Sequence, residues 1–242
     1  MARRRFFVDE IQSGQAQIAG DDAHHLTRVL RVEPGQIFEI SDNRNLYVAE
    51  VQVVRKDLVS FAIRDQLEVS QPVVRISLLA SLIRFERFEW LIEKATELGV
   101  ESITPVDAAR SEKGLDRAAE KRAARWRKLA REASEQSRRV RLPEIHASVS
   151  LAGALAVEGD YRLMLDEAEQ AKPIACVLPK VRNKEDRVAL LVGPEGGWTD
   201  NERAGAATHG WTSVGLGSTI LRTETAAIAG IAVIAAAWQP LL

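Results

Sequence analysis

One cysteine in 242 residues, Cys176, excludes an internal disulfide framework and any cysteine-rich zinc site, and it fits a reducing compartment. Flanked by Ala175 and Val177, it reads as a small buried hydrophobe. Long apolar runs are also missing. The most apolar stretch, Ala226 to Trp238, falls well short of the roughly 20 residues that a bilayer crossing takes, so it reads as a buried helix. The basic start, Arg3, Arg4 and Arg5, has no apolar stretch behind it and does not make a signal peptide. These absences lead to the expectation of a cytoplasmic protein with no membrane partner. A surplus of one charge is lacking as well: 33 basic against 34 acidic side chains leave a net charge of −1, which argues against a generic nucleic-acid binder.

Several common enzyme signatures are absent. No G-x-x-x-x-G-K-[ST] occurs, against a P-loop nucleotidase. No G-x-G-x-x-G follows the first strand of the α/β region, against a standard dinucleotide or methyltransferase Rossmann unit. The four histidines are scattered apart from His24-His25, and no spacing suits a metal, so none is expected. A G-x-S-x-G elbow is missing too.

What is present begins with a change of pattern near residue 70. Residues 1–68 read as mostly β, with runs at Arg4–Val8, Gln36–Ile40, Tyr47–Val54 and Leu58–Arg64, several alternating with period two. One short helix interrupts them, capped at Asp21 or Asp22 and ending before the Pro34-Gly35 turn. This predicts a small β-barrel, then a polar linker over 66–72 and a second domain over 73–242. From Val73, strands at Val74–Ala80, Ser102–Val106, Tyr161–Leu165, Arg187–Val192 and Trp211–Gly215 alternate with helical stretches. A long helix carries Trp126, Leu129, Ala133 and Val140 on one stripe and stops at Pro143. Such alternation predicts an α/β fold with a mainly parallel sheet covered by helices on both faces.

Charge is neutral in sum but not in distribution. Ten basic residues lie between Arg117 and Arg141 against three acids, and Arg28 and Arg31 join Arg3, Arg4 and Arg5 in a second cluster. Local basic patches bind phosphates on proteins that are neutral overall. A solvated helix face explains the 117–141 run equally well.

Two segments near the end carry the most chemistry: Gly193-Pro194-Glu195-Gly196-Gly197-Trp198, and Leu216-Gly217-Ser218-Thr219-Ile220-Leu221-Arg222-Thr223-Glu224-Thr225. Each follows a strand-like run, breaks on glycine and leads toward a helix. Glycines there permit unusual backbone angles and close approach of a ligand to the main chain. Thr199 or Asp200 caps the helix after the first segment, and Thr223 or Thr225 caps the helix after the second, with Glu224 where the dipole favours an anion. A purely structural alternative is an Arg222–Glu224 ion pair locking the turn. Two such turns at the ends of adjacent strands line one crevice, the usual ligand site of open α/β sheets.

These two segments resemble the ribosomal RNA small subunit methyltransferase E family, of the SPOUT class. Further matches are His25-Leu26-Thr27-Arg28-Val29-Leu30-Arg31 with Gly35, Glu93-Lys94-Ala95-Thr96-Glu97-Leu98-Gly99-Val100, and Glu132 to Arg138 before Pro143. Arg84-Phe85-Glu86-Arg87 and Arg110-Ser111-Glu112-Lys113 depart from the family pattern. The resemblance implies a PUA-like RNA-binding barrel and a C-terminal SPOUT domain with a trefoil knot, an architecture that no periodicity suggests. It also implies a homodimer, S-adenosyl-L-methionine as methyl donor, and N3 of one uridine in 16S rRNA as acceptor.

The resemblance suggests that Leu165, Gly193, Pro194, Glu195, Gly196, Gly197, Leu216, Gly217 and Leu221 bind the cofactor. Arg222 is then the catalytic candidate that stabilises a uracil anion. Glu224 orients Arg222 or the substrate, with Glu195 as the alternate carboxylate. Arg3, Arg4, Arg5, His25, Arg28 and Arg31 are the expected RNA-binding set, although His25 also fits a packed or capping role. Two rivals remain at this stage: a SPOUT methyltransferase acting on tRNA, and a non-catalytic RNA-binding assembly factor.

Overall fold

The computed structural model describes residues 4–240. Contacts divide the chain into two units, one running to Ser70 and including Ser134–Leu142, the other comprising Gln71–Ala133 and Pro143–Leu242.

The first unit contains β1 (Arg5–Phe7), β2 (Ile11–Gln12), β3 (Gln15–Ala19), α1 (Gly20–Arg28), β4 (Ile37–Ser41), β5 (Leu46–Arg55) and β6 (Leu58–Leu67). They form one sheet in the order β1-β4-β5-β6-β3-β2. Only the β1–β4 pair is parallel. Inward residues such as Phe6, Ile18, Ile40, Val51 and Phe61 make one apolar core with Leu26 of α1. The sequence pattern missed the β2–β3 hairpin because its first strand is two residues long. Its signal is chemical: Ser13 and Gly14 both have positive φ (49° and 73°), as a two-residue type I′ turn requires. α1 starts at Gly20 without a side-chain cap, and Asp21 and Asp22 lie in its first turn instead. An anion is favoured there by the helix dipole.

Segment 134–142, expected in the second domain, packs with the first. Arg5 donates to the Arg138 carbonyl, Ser41 Oγ to the Val140 carbonyl at 2.6 Å, and the Leu142 amide to Asn43 Oδ1 at 2.7 Å. The preceding helix ends at Gln136 rather than running to Pro143. Arg138 has φ 61°, a left-handed angle that stops helix propagation.

The second unit contains β7 (Arg75–Ser81), α2 (Phe85–Glu97), β8 (Ser102–Asp107), α3 (Leu115–Gln136), β9 (Glu144–Ile145), β10 (Val149–Ser150) and α4 (Leu151–Leu155). It continues with β11 (Tyr161–Leu165), β12 (Lys172–Pro173), α5 (Ile174–Val177), β13 (Arg187–Val192), α6 (Asp200–Thr208), β14 (Thr212–Gly215) and α7 (Thr223–Ala237). The strands make one parallel sheet, β10-β8-β7-β13-β11-β14-β12, with β9 beside β8.

Alternate residues of the central strands face opposite cores. Leu78, Leu163 and Leu190 pack with Phe88, Trp126 and Ile231. Leu79, Met164 and Leu191 pack with Leu155, Ala206 and Trp211. Helices therefore cover both faces, which is why these strands read as continuous apolar runs. Each fully buried Leu or Ile contributes about 1.5–3 kcal/mol. α7 lies close on the sheet because Gly230 has no Cβ, which would stand 3.0 Å from Leu190 Cδ2. Cys176 is exposed rather than buried, since the single turn of α5 buries Ile174 and leaves the thiol outside. No helix among the described residues is long and apolar enough to cross a membrane.

Candidate functional site

The C-terminal ends of β13, β11 and β14 stand side by side: Leu165 pairs with Val192 on one flank and Val214 on the other. The strands carrying the two glycine turns are thus not adjacent, as the sequence suggested, because β11 lies between them. Above these ends is an open cleft of about 660 Å³. Of the expected cofactor residues, Leu165, Gly193, Pro194, Leu216, Gly217 and Leu221 line it. Glu195, Gly196 and Gly197 do not; they form the outer part of the first turn. Ser218, Thr219 and Ile220, within the expected second turn, contribute as well, and so do Asp166, Glu167 and Thr223, which the motif reasoning did not assign.

The first turn is braced at almost every residue. Trp198 is fully buried and donates its indole N–H to the Leu165 carbonyl at 2.8 Å, drawing the turn back over β11. That indole explains Gly193, whose hypothetical Cβ would lie 2.9 Å from Trp198 Cε2. Gly197 is glycine for a different reason, its φ of 67°. Arg110 donates to the Gly196 carbonyl at 2.7 Å. Arg87 donates to the Glu195 carboxylate. Thr199 and Glu202 close a reciprocal capping box that starts α6, as the sequence predicted for Thr199.

Beneath the cleft, Asp166 is buried and takes hydrogen bonds from Arg203 Nε at 2.9 Å, Arg203 Nη2 at 2.9 Å and Ser213 Oγ at 3.1 Å. Burial alone pushes its carboxyl upward, but the hydrogen bonds, led by Arg203, hold it below the ordinary value. Arg203 also donates to the Trp198 carbonyl at 2.7 Å. One ion pair therefore joins the end of β11, β14, α6 and the first turn.

The second turn is sparsely held. Among the described residues, 217–221 make no hydrogen bond beyond the regular elements. Ile220 is 85% exposed, and Gly217 has φ 136°. Arg222 is the N-cap residue of α7, yet no side chain caps the helix, contrary to the expectation for Thr223 or Thr225. Thr223 Oγ1 instead donates to the Gly193 carbonyl at 2.9 Å, linking the two turns directly. Arg222 is exposed and forms no ion pair among the described residues. The supposed Arg222–Glu224 pair is replaced by another: Glu224 is buried, with Oε1 3.9 Å from Arg87 Nε, while its Oε2 has no hydrogen-bond partner.

In the first unit, Arg4, His25, Arg28 and Arg31 are exposed. Arg3 lies outside the described residues. Arg5 does not belong with the exposed cations: it is buried, and its guanidinium holds Glu39 at 2.8 Å and the Arg138 carbonyl. All three residues of β1 are buried, and Arg5, next to the inward Phe6, lies on the opposite face beneath segment 134–142, where pairing is required. In the basic run of α3, Arg122 and Arg125 both grip Glu89. Burial pushes Arg139 down to about 10, so the run is less uniformly solvated than its sequence suggests.

Arg87, Asp166 and Arg203 carry no motif. The available signal for Arg87 is a cation in a helix's first turn, where the dipole disfavours it unless acids are close. Asp166 and Arg203 are 37 positions apart and meet only through the parallel crossover.

Residues 69–235 match the family described as RNA methyltransferase domain, and residues 18–64 match the RNA methyltransferase PUA domain. The parallel sheet, its strand-end cleft and these matches define the class: an RNA methyltransferase with a PUA-like N-terminal domain. A Bacillus subtilis ribosomal RNA small subunit methyltransferase E is 31% identical across 96% of this chain and 95% of its own length. The Aquifex aeolicus protein of that name is 30% identical, covering 94% and 97% respectively. The Neisseria gonorrhoeae enzyme of the same name, solved bound to S-adenosyl methionine, superposes with a TM-score of 0.87 at 30% identity over 98% of both chains. The chain belongs to the ribosomal RNA small subunit methyltransferase E family.

Proposed function

We propose that this protein transfers a methyl group from S-adenosyl-L-methionine to N3 of one uridine in 16S rRNA. The observation that carries this reading is the cleft over Leu165, walled by the two glycine turns and flanked by an unpaired arginine. Its lining, main chain and apolar side chains with a few polar groups, suits a nucleoside-like cofactor. Exposed main chain in the second turn offers donors and acceptors for adenosine, and the Asp166 and Glu167 carboxylates suit hydroxyl or ammonium groups. The Neisseria gonorrhoeae relative's bound S-adenosyl methionine supports the same choice.

S-adenosyl-L-methionine, when bound, supplies an electrophilic methyl group on a sulfonium. The chain's own work is positioning and electrostatics. Uracil N3 gives its proton to solvent at or before attack, and the resulting negative charge spreads onto the flanking carbonyl oxygens. Arg222 stabilises that charge from the edge of the cleft. Glu224 orients the acceptor base. Gly193, Pro194, Leu216, Gly217 and Leu221 shape the cofactor wall with Leu165, and Glu195, Gly196 and Gly197 keep the first turn in place.

The first unit serves RNA binding, and the second, 71–133 with 143–242, methyl transfer. Arg4, His25, Arg28 and Arg31 meet phosphates, so affinity falls with salt. A homodimer, a knotted C-terminal crossover and a cytoplasmic location complete the picture. The decisive experiment maps methylated nucleotides by mass spectrometry in rRNA from a strain lacking the protein, with naked rRNA, assembled small subunits and tRNA compared in vitro. Loss of one N3-methyluridine in 16S rRNA is expected. An unchanged 16S map with a lost tRNA methylation would reassign the substrate, and absent S-adenosyl-L-methionine binding in calorimetry would revert the protein to an RNA-binding assembly factor.

A further inference from the structure

Arg87 occupies an unfavourable place for a cation, the first turn of α2, where main-chain N–H groups point outward. Two carboxylates offset this. Its Nη1 holds Glu195 in the first glycine turn, and its Nε lies 3.9 Å from Glu224 Oε1 in the first turn of α7. Glu195 and Arg87 are partly exposed, but the Glu224 side chain is nine-tenths buried. The direct Thr223–Gly193 hydrogen bond already links the same two segments. A second bridge through a guanidinium is unnecessary for that purpose alone.

The other oxygen of Glu224 supplies the reason. Oε2 is buried without any hydrogen-bond partner among the described residues. A buried carboxylate oxygen left without a donor is costly, and such an atom is retained where a donor arrives with a ligand. Glu224 follows Thr223, which lines the cleft. Arg87 attracts one oxygen across an ion-pair distance of 3.9 Å and so biases the orientation of the other.

We propose that Arg87 is a positioning residue for methyl transfer: it links Glu224 to Glu195 and leaves Glu224 Oε2 to accept a hydrogen bond from the ribose hydroxyl of the methyl-accepting nucleotide. The assignment rests on the methyl-transfer reading above. It gives Arg87 a role separate from cofactor binding, because Arg87 is not part of the cleft wall. It also makes Glu224 dependent on α2, not on its neighbour Arg222.

The test compares wild type, Arg87→Ala and Arg87→Lys with S-adenosyl-L-methionine and small-subunit rRNA. Arg87→Ala is expected to lower kcat about 30-fold or more, within the range of lost positioning effects, while calorimetry shows the cofactor dissociation constant within about threefold of wild type, which also reports a folded site. Arg87→Lys keeps the charge but loses the planar fork, so it recovers only part of kcat. A merely structural role would lower thermal stability in both variants without this split between kcat and cofactor affinity, and would overturn the proposal. Wild-type kcat in Arg87→Ala overturns it as well. Wild-type protein that neither binds S-adenosyl-L-methionine nor methylates rRNA would overturn the functional reading and this assignment together.

Discussion

The two glycine turns share a cleft but are built in opposite ways. From Gly193 to Trp198 the chain is held by an indole, an arginine on a carbonyl, an ion pair and a capping box. From Gly217 to Leu221 it has no comparable support, and Ile220 projects into solvent. Glycine appears in both for different reasons: Gly193 clears a space for Trp198, whereas Gly217 permits a backbone angle. A braced wall is preorganised and loses little entropy on binding. A loose wall is ordered by its ligand and opens readily. Similar sequence signals thus produce a rigid half and a yielding half of one site.

Trp198→Ala should be the most damaging change to stability, about 3–5 kcal/mol for an emptied aromatic site, measured by urea unfolding. A loss below about 1 kcal/mol would mean that the first turn is not held as the indole geometry implies. Arg222→Ala should act on the other side of the comparison. Single-turnover methylation is expected to fall by about 10²–10³-fold, the range for a lost charge-stabilising donor, with cofactor affinity intact. Near-full turnover in that variant would remove Arg222 from the mechanism.

Gly193→Ala should cost about 1–3 kcal/mol by overpacking against a ring that cannot yield, seen as a lower Tm. The acid limb of stability gives a subtler contrast. Asp166 has a lowered value in the folded protein, so its contribution is present above the unfolded value near 3.9 and is lost as pH falls through the folded one. Wild type should therefore lose stability below about pH 4 more steeply than Asp166→Asn, which at neutral pH is already weakened by taking from Arg203 its buried partner and leaving only the exposed Glu167 and Asp200; parallel acid titrations followed by circular dichroism would refute this. Smallest of all, Ile220→Ser should leave unfolding free energy within about 0.5 kcal/mol of wild type, as exposed loop substitutions do. A larger loss would show that the second turn is held after all.

Much of this architecture was legible. β11 and β13 occupy the residues that periodicity assigned, because a parallel strand buried on both faces is a short unbroken apolar run. The glycine turns stood out by composition, and six of the nine expected cofactor residues line the cleft. Relations across the fold were less accessible. Strand order decides that β11 separates β13 from β14, and no local pattern encodes it. Arg5 looked like its exposed neighbour Arg4, yet burial makes it a structural ion pair. Arg87 was passed over as a departure from a motif, although two carboxylates converge on it from distant segments. Val140 continued the helical stripe of α3, but Arg138 had already turned the chain away.

Trp198 packs against Gly193, one of the cleft-lining residues, and its N–H rests on the carbonyl of another, Leu165. The protein therefore carries an optical gauge inside its own wall. The indole's emission depends on the field and polarity around its ring, and a cationic cofactor arriving next to Gly193 alters both. With Trp90, Trp126, Trp211 and Trp238 replaced by phenylalanine, the remaining fluorescence would follow loading of the cleft in real time, without an attached dye.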